Sequence, residues 1–191
     1  MSGPLRAIVL AGGRSSRMAG RHKPAIPVGG VPIVARGIAA LRLIGAEPLV
    51  VGEADGVPAG TPVIREDPPF SGPLAAVAAG LRALEARAGG VILLLGGDMP
   101  FVSPATLRRL AESASAARPA LAVDPDGRAQ PLCAAWDEAA LRERLATIGD
   151  PVNRPLRLLL GESLAPVHIP VLAPELLDVD TPDDLREAED L

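Results

Sequence analysis

Apolar residues fall in short unbroken runs, separated by stretches in which they recur every three or four positions. Val91-Ile92-Leu93-Leu94-Leu95 is the clearest run, with no alternation, as a strand buried on both faces requires. Similar runs predict strands over 5–10, 48–51, 62–64, 91–95, 120–123 and 132–136. Helical spacing is expected over 32–44, 73–86, 104–115, 137–146, 154–160 and 182–190. Pro73, Pro104 and Pro182 open their segments, a position where the missing N–H would be unpaired anyway. Strands alternating with helices predict an α/β protein: a Rossmann-like three-layer fold with a mostly parallel central sheet flanked by helices. Asp124-Pro125-Asp126-Gly127 has turn chemistry, so the two strands around it are expected to form a hairpin rather than a crossover. No repeat and no Gly/Ser linker divides the chain, which reads as one domain over 1–191.

The strand 5–10 runs directly into Ala11-Gly12-Gly13, followed by Arg14-Ser15-Ser16-Arg17-Met18 and, a little later, Lys23. Two glycines after a buried strand let the backbone approach a ligand closely and leave amides free to point at phosphate oxygens. Arg17 and Lys23 would then neutralise the charge that the amides only partly balance. An ordinary strand-to-loop turn with solvated basic residues is the competing reading. It needs fewer residues than the roughly twenty expected to lie without regular structure before the first helix, and loops of that length are usually binding loops. The Gly-x-Gly-x-x-Gly of dinucleotide folds and the Gly-x-x-x-x-Gly-Lys-Ser/Thr of P-loops are both absent.

Composition narrows the chemistry. With 48% hydrophobic and 22% charged residues among 191, the chain has a globular balance, and a length suited to one substantial core. No apolar run reaches the ~20 residues that span a bilayer. No basic segment followed by a signal core opens the chain, so a soluble, cytoplasmic protein is expected with no membrane partner. One cysteine, Cys133, and two histidines, His22 and His168, argue against a disulfide framework or a zinc site, leaving carboxylates as the metal ligands. A net charge of −4 and the lack of a basic run or a tyrosine argue against nucleic acid as a partner.

Carboxylates stand where such ligands would be useful. The central run ends in Gly96-Gly97-Asp98, delivering Asp98 to a strand's C-terminal edge, where open α/β sheets bind ligands. Mg²⁺ takes one or two carboxylates plus phosphate oxygens, and Asp98 is placed to supply one, although a turn cap before Pro100 explains its position equally well. Asp178 and Asp180 share one side of an extended segment, and two nearby carboxylates tolerate each other best around a cation. Thr181 after them is a natural N-cap. Ser71-Gly72-Pro73-Leu74 reads as a second close-approach loop leading into a helix N-terminus.

The opening segment resembles the MobA-like nucleotidyltransferases, whose motif is close to Leu-Ala-Gly-Gly-x-x-x-Arg-Met-Gly-x-x-Lys. Later segments are similar to the same family's landmarks in the same order: Glu66-Asp67, Ser71-Gly72-Pro73-Leu74, Gly97-Asp98-Met99-Pro100, Gln130-Pro131-Leu132 and 178–185. The resemblance implies an enzyme that transfers a nucleotide to a phosphomonoester, with Mg²⁺ as cofactor. It implies nucleotide contacts at Leu10, Ala11, Gly12, Gly13, Lys23, Asp67, Gly72 and Asp98, a catalytic set of Arg17, Lys23 and Asp98, and metal ligation by Asp98; Asp180 is a second candidate ligand on its position beside Asp178 alone, at a place where relatives often carry Asn. His22 and Gly52 stand where relatives often carry Asp and Asn. Leu-Ala-Gly-Gly and Gly-Pro-Leu are similar to the guanylyl branch, which implies GTP as donor, molybdenum-bearing molybdopterin as acceptor, and molybdoenzymes or their chaperones as recipients. A cytidylyltransferase on the same acceptor, a transferase acting on another phosphorylated small molecule and a non-catalytic cofactor chaperone remain open alternatives.

Overall fold

A computed structural model describes residues 3–13, 22–161 and 164–191. Its centre is a seven-stranded sheet. In chain order the strands are β1 (Leu5–Ala11), β4 (Glu47–Gly52), β5 (Val63–Ile64), β6 (Val91–Gly96), β7 (Ala120–Val123), β8 (Ala129–Asp137) and β9 (Val167–Pro170). Their spatial order is β5-β4-β1-β6-β8-β7-β9, and only β8 runs against the others. The expected hairpin is therefore present as the antiparallel β7–β8 pair, turning at Asp124 to Gly127 with Asp124 accepting from the Arg128 amide at 2.8 Å.

Strand alternation sorts the core into two layers. Ala7, Val9 and Leu95 face α1 (Ile33–Leu43) and α3 (Pro104–Ser113), meeting Val34, Ile38, Leu41, Leu107 and Leu110. Ile8, Val51 and Leu94 face α2 (Pro73–Ala83) and α4 (Glu138–Ile148), meeting Leu74, Val77, Leu81 and Leu141. The sheet thus lies between two helical layers, as the unbroken apolar runs require.

The boundaries depart from expectation where side chains take over backbone partners. α2 stops at Ala83 rather than 86 because Arg142 receives the carbonyls of Leu81 and Leu84, and Arg6 that of Glu85. The helix expected over 154–160 is a 3₁₀ turn, Leu156–Leu159, whose last carbonyls accept from Arg144. β9 was not anticipated; it is a four-residue edge strand paired with β7 and closed by Pro170. The stretch before α1 holds more than an irregular loop. It contains a 3₁₀ turn, Lys23–Ala25, and a small hairpin of β2 (Pro27–Val28) and β3 (Val31–Pro32) turning through Gly29-Gly30, both at positive φ.

The C-terminal helix α5 (Pro182–Asp190) packs on this small hairpin through Val179, Ala188, Ile26, Val28 and Ile33. It begins with a capping box, Thr181 Oγ1 accepting from the Asp184 amide at 3.2 Å and Asp184 from the Thr181 amide at 2.7 Å. The last segment of the chain therefore holds the Lys23 turn against the sheet.

Candidate active site

β1 has β4 on one side and β6 on the other, and a crevice opens at the C-terminal ends of these strands, where the strand order reverses. Glycines make that edge. A Cβ on Gly97 would lie 2.8 Å from the Leu10 carbonyl oxygen, which accepts from the Gly97 amide at 2.9 Å. A Cβ on Gly96 would lie 2.7 Å from Asp98 Oδ1, so the missing side chain is what lets the carboxylate fold back over the strand end. Gly52, at φ +139°, brings β4 against the peptide joining Ala11 and Gly12, where a Cβ would approach within 2.4 Å. A side chain at that place would not fit this backbone.

The crevice is a cleft of about 270 Å³. Leu10, Gly12 and Gly13 form its middle, Asp98 and Leu132 one end, and Glu66, Phe70, Gly72, Pro73 and Ala76 the other. Ala11 turns its methyl into the core, so only its backbone is available to a ligand. Gly72 precedes α2, and the Ser71 carbonyl accepts from the Asn153 amide at 2.7 Å, which fixes the second loop. Asp67 is exposed and does not line the cleft; Glu66 stands there instead. Arg17 lies outside the described residues.

At the Asp98 end, four segments meet. Lys23 Nζ pairs with Asp180 Oδ1 at 2.6 Å, and the Asp98 carbonyl accepts from the Val179 amide at 3.0 Å. Asp178 Oδ2 accepts from Gln130 Nε2 at 2.9 Å. Residues from the glycine-loop side, β6, β8 and the C-terminal segment are thereby joined.

Comparison with known proteins decides what this arrangement belongs to. The family model of the MobA-like NTP transferase domain matches residues 7–166. The chain belongs to this family. It is 30% identical to the molybdenum cofactor guanylyltransferase of Cereibacter sphaeroides, over 98% of this chain and 96% of that one. It is 31% identical to the enzyme of the same name from Rhodobacter capsulatus, over 97% and 95%. Among solved structures, a nucleotidyl transferase from Methanothermobacter superposes with a TM-score of 0.77 at 28% identity, covering 98% of this chain and 96% of that one.

In this MobA-like cleft the electrostatics favour a cation. Burial raises the Asp98 carboxyl above its ordinary range and Asp180 raises it further, against its own backbone hydrogen bond and Lys23. Asp178 is pushed up to about 7, first by burial and then by Asp98 and Asp180, with the Gln130 hydrogen bond opposing. Carboxylates that resist ionising beside one another gain most from a divalent ion. Among the described residues no cluster of three or more His, Cys, Asp or Glu forms a metal cage. Mg²⁺ fits the donors present, because it needs one or two carboxylates and takes substrate phosphates for the rest.

Sequence reading missed Glu66, Phe70 and the Gln130–Asp178 bond. Parity offered a signal for the first: β5 ends at Ile64, which packs on the α2 layer, so in an extended chain Glu66 points the same way and Asp67 outward. Phe70 sits at φ +62°, which no spacing rule would reveal. His22 lies beside the Lys23 turn with its Nε2 buried and without a hydrogen-bond partner among the described residues. Burial lowers its pKa first; Glu53 and Asp55 pull upward and Arg65 downward.

Proposed function

We propose that this protein transfers GMP from GTP to the terminal phosphate of molybdenum-bearing molybdopterin, giving the guanine dinucleotide form of the cofactor and pyrophosphate. The observation that carries the reading is the cleft at the C-terminal ends of β1 and β6, with the glycine loop between Asp98 on one side and the α2 N-terminus on the other. The relatives named as guanylyltransferases support the donor and acceptor.

An acceptor phosphate oxygen attacks the α-phosphorus, the bond from that phosphorus to the bridging oxygen breaks, and pyrophosphate leaves. The acceptor is already mostly dianionic at neutral pH, with a second pKa near ~6, so no general base is needed. What the chain must supply is position and positive charge. The backbone of Leu10, Ala11, Gly12 and Gly13 receives the nucleotide, with Gly72 and the first turn of α2 opposite. Lys23 and Arg17 stabilise the charge on the transferring and leaving phosphates. Asp98 and Asp180 would hold Mg²⁺, which supplies Lewis-acid stabilisation of the phosphate oxygens. The Lys23–Asp180 ion pair stands beside the Asp98 end of the cleft, where the Val179 amide donates to the Asp98 carbonyl.

The test uses GTP labelled at the α-phosphate, the molybdenum-bearing acceptor and Mg²⁺. Label appearing in a dinucleotide product with one pyrophosphate released per transfer is expected. Equal or faster transfer from CTP would make the protein a cytidylyltransferase, and binding without pyrophosphate release would make it a cofactor chaperone.

A further inference from the structure

Glu66 has no task in that mechanism. It is only 7% exposed, yet it lines the cleft. Its Oε1 accepts from the Phe70 amide at 2.9 Å, which fixes the direction of the carboxylate. Sheet order separates it from the ionic end: Glu66 follows β5 and Asp98 follows β6, on opposite sides of β1. On its α2 side the cleft beside Glu66 is formed by Phe70, Pro73 and Ala76, and on the other its Oε1 comes within 4.0 Å of where a Cβ on Gly12 would stand. A carboxylate here repels phosphate. It suits the part of a ligand that is flat, apolar in face and rich in N–H donors at one edge.

Among nucleobases, guanine presents two adjacent donors, N1–H and the N2 amino group, which a carboxylate accepts in parallel as charge-assisted bonds. Adenine and cytosine place a ring acceptor next to their amino group, and that lone pair opposes a carboxylate. We propose that Glu66 reads the base edge and selects guanine, while the Asp98 end holds the phosphates. This rests on the nucleotidyltransferase reading and supplies its specificity determinant.

Triphosphate analogues that differ only at the purine 2-position test it on the full-length protein in Mg²⁺, by calorimetric affinities for GTP, ITP and XTP. Wild type should bind GTP roughly 10- to 100-fold more tightly than ITP, which lacks the amino group, and should reject XTP, whose 2-carbonyl meets the carboxylate. Glu66→Gln keeps an oxygen for the Phe70 amide and turns an N–H₂ toward the base. It should lose most of the GTP preference and gain XTP binding, a gain that a merely structural role would not produce. Equal wild-type affinity for GTP and ITP overturns the assignment without recourse to any variant, as does an unchanged GTP-to-ITP ratio in Glu66→Gln. Wild type that binds no triphosphate at all overturns the transferase reading itself, and the assignment with it.

Discussion

At the residue scale the account depends on a small ionic group whose members come from distant parts of the chain. Lys23→Ala should lower turnover by about 30- to 1,000-fold, the ~2–4 kcal/mol expected for deleting one donor aimed at developing negative charge. Steady-state kinetics at saturating GTP would show it, and unchanged turnover would remove Lys23 from the chemistry. Asp98→Ala should abolish Mg²⁺-dependent transfer while leaving the melting temperature within a few degrees, since its carboxyl is raised by burial and contributes no stabilising charge. Asp178 gives a pH signature. Its folded pKa, about 7, lies above the ordinary value of 3.8, so the folded state binds the proton more tightly and stability falls as pH rises through that interval. Asp178→Asn, which mimics the protonated acid, should melt above wild type at pH 8 without Mg²⁺. The gap should close progressively between pH 7 and pH 4, and a gap independent of pH would contradict the assignment. These residues were legible in the sequence as a set, because Gly97-Asp98 and Asp178-Val179-Asp180 each end an extended segment. Their partnership was not: the Lys23–Asp180 pair joins positions 157 residues apart, and no local spacing encodes it.

At the element scale, strands and helices were readable wherever burial is complete, as in β6, because a two-sided apolar strand leaves no other pattern. Edges were not readable. β9 has only Val167 to Pro170 to announce it and gains its hydrogen bonds from β7, and the Leu156–Leu159 turn is closed by Arg144 from another element. The small hairpin before α1 had its signal in Gly29-Gly30, a pair suited to a turn with two positive φ angles. It went unread because its strands are two residues long. That hairpin matters to function, since α5 clamps it and the Lys23 turn beside it. Thr181→Ala should remove half of the capping box and cost about 1 kcal/mol, a fall of roughly 2–4 °C in melting temperature for a chain of this size. The Gly52 contact belongs to the same scale. Gly52→Ala should weaken nucleotide binding as well as stability, because relief of the 2.4 Å clash must displace the glycine loop itself.

At the scale of the whole molecule, binding chemistry and structural charge occupy opposite edges of the sheet. Arg6, at the start of β1, is buried and pairs with the equally buried Glu138, which also accepts from Arg142 at 2.8 Å. Burial alone would raise the Glu138 carboxyl, but hydrogen bonds from Arg142, Arg6 and the Arg87 amide together hold it below its ordinary range. Its stabilisation is therefore present above the unfolded value and lost as pH falls through the folded one. Glu138→Gln leaves Arg6 buried without its counter-charge and should cost about 3–5 kcal/mol, a melting fall on the order of 10 °C, with GTP affinity at low temperature unchanged. The central claim is that the opposite edge is a guanine nucleotide site. Calorimetric titration of the full-length protein with GTP, CTP and ATP in Mg²⁺ tests it most directly. Tight binding of GTP, at least about tenfold stronger than CTP or ATP and lost in Asp98→Ala, is the expected result. Preference for CTP, or failure to bind any triphosphate, would contradict it.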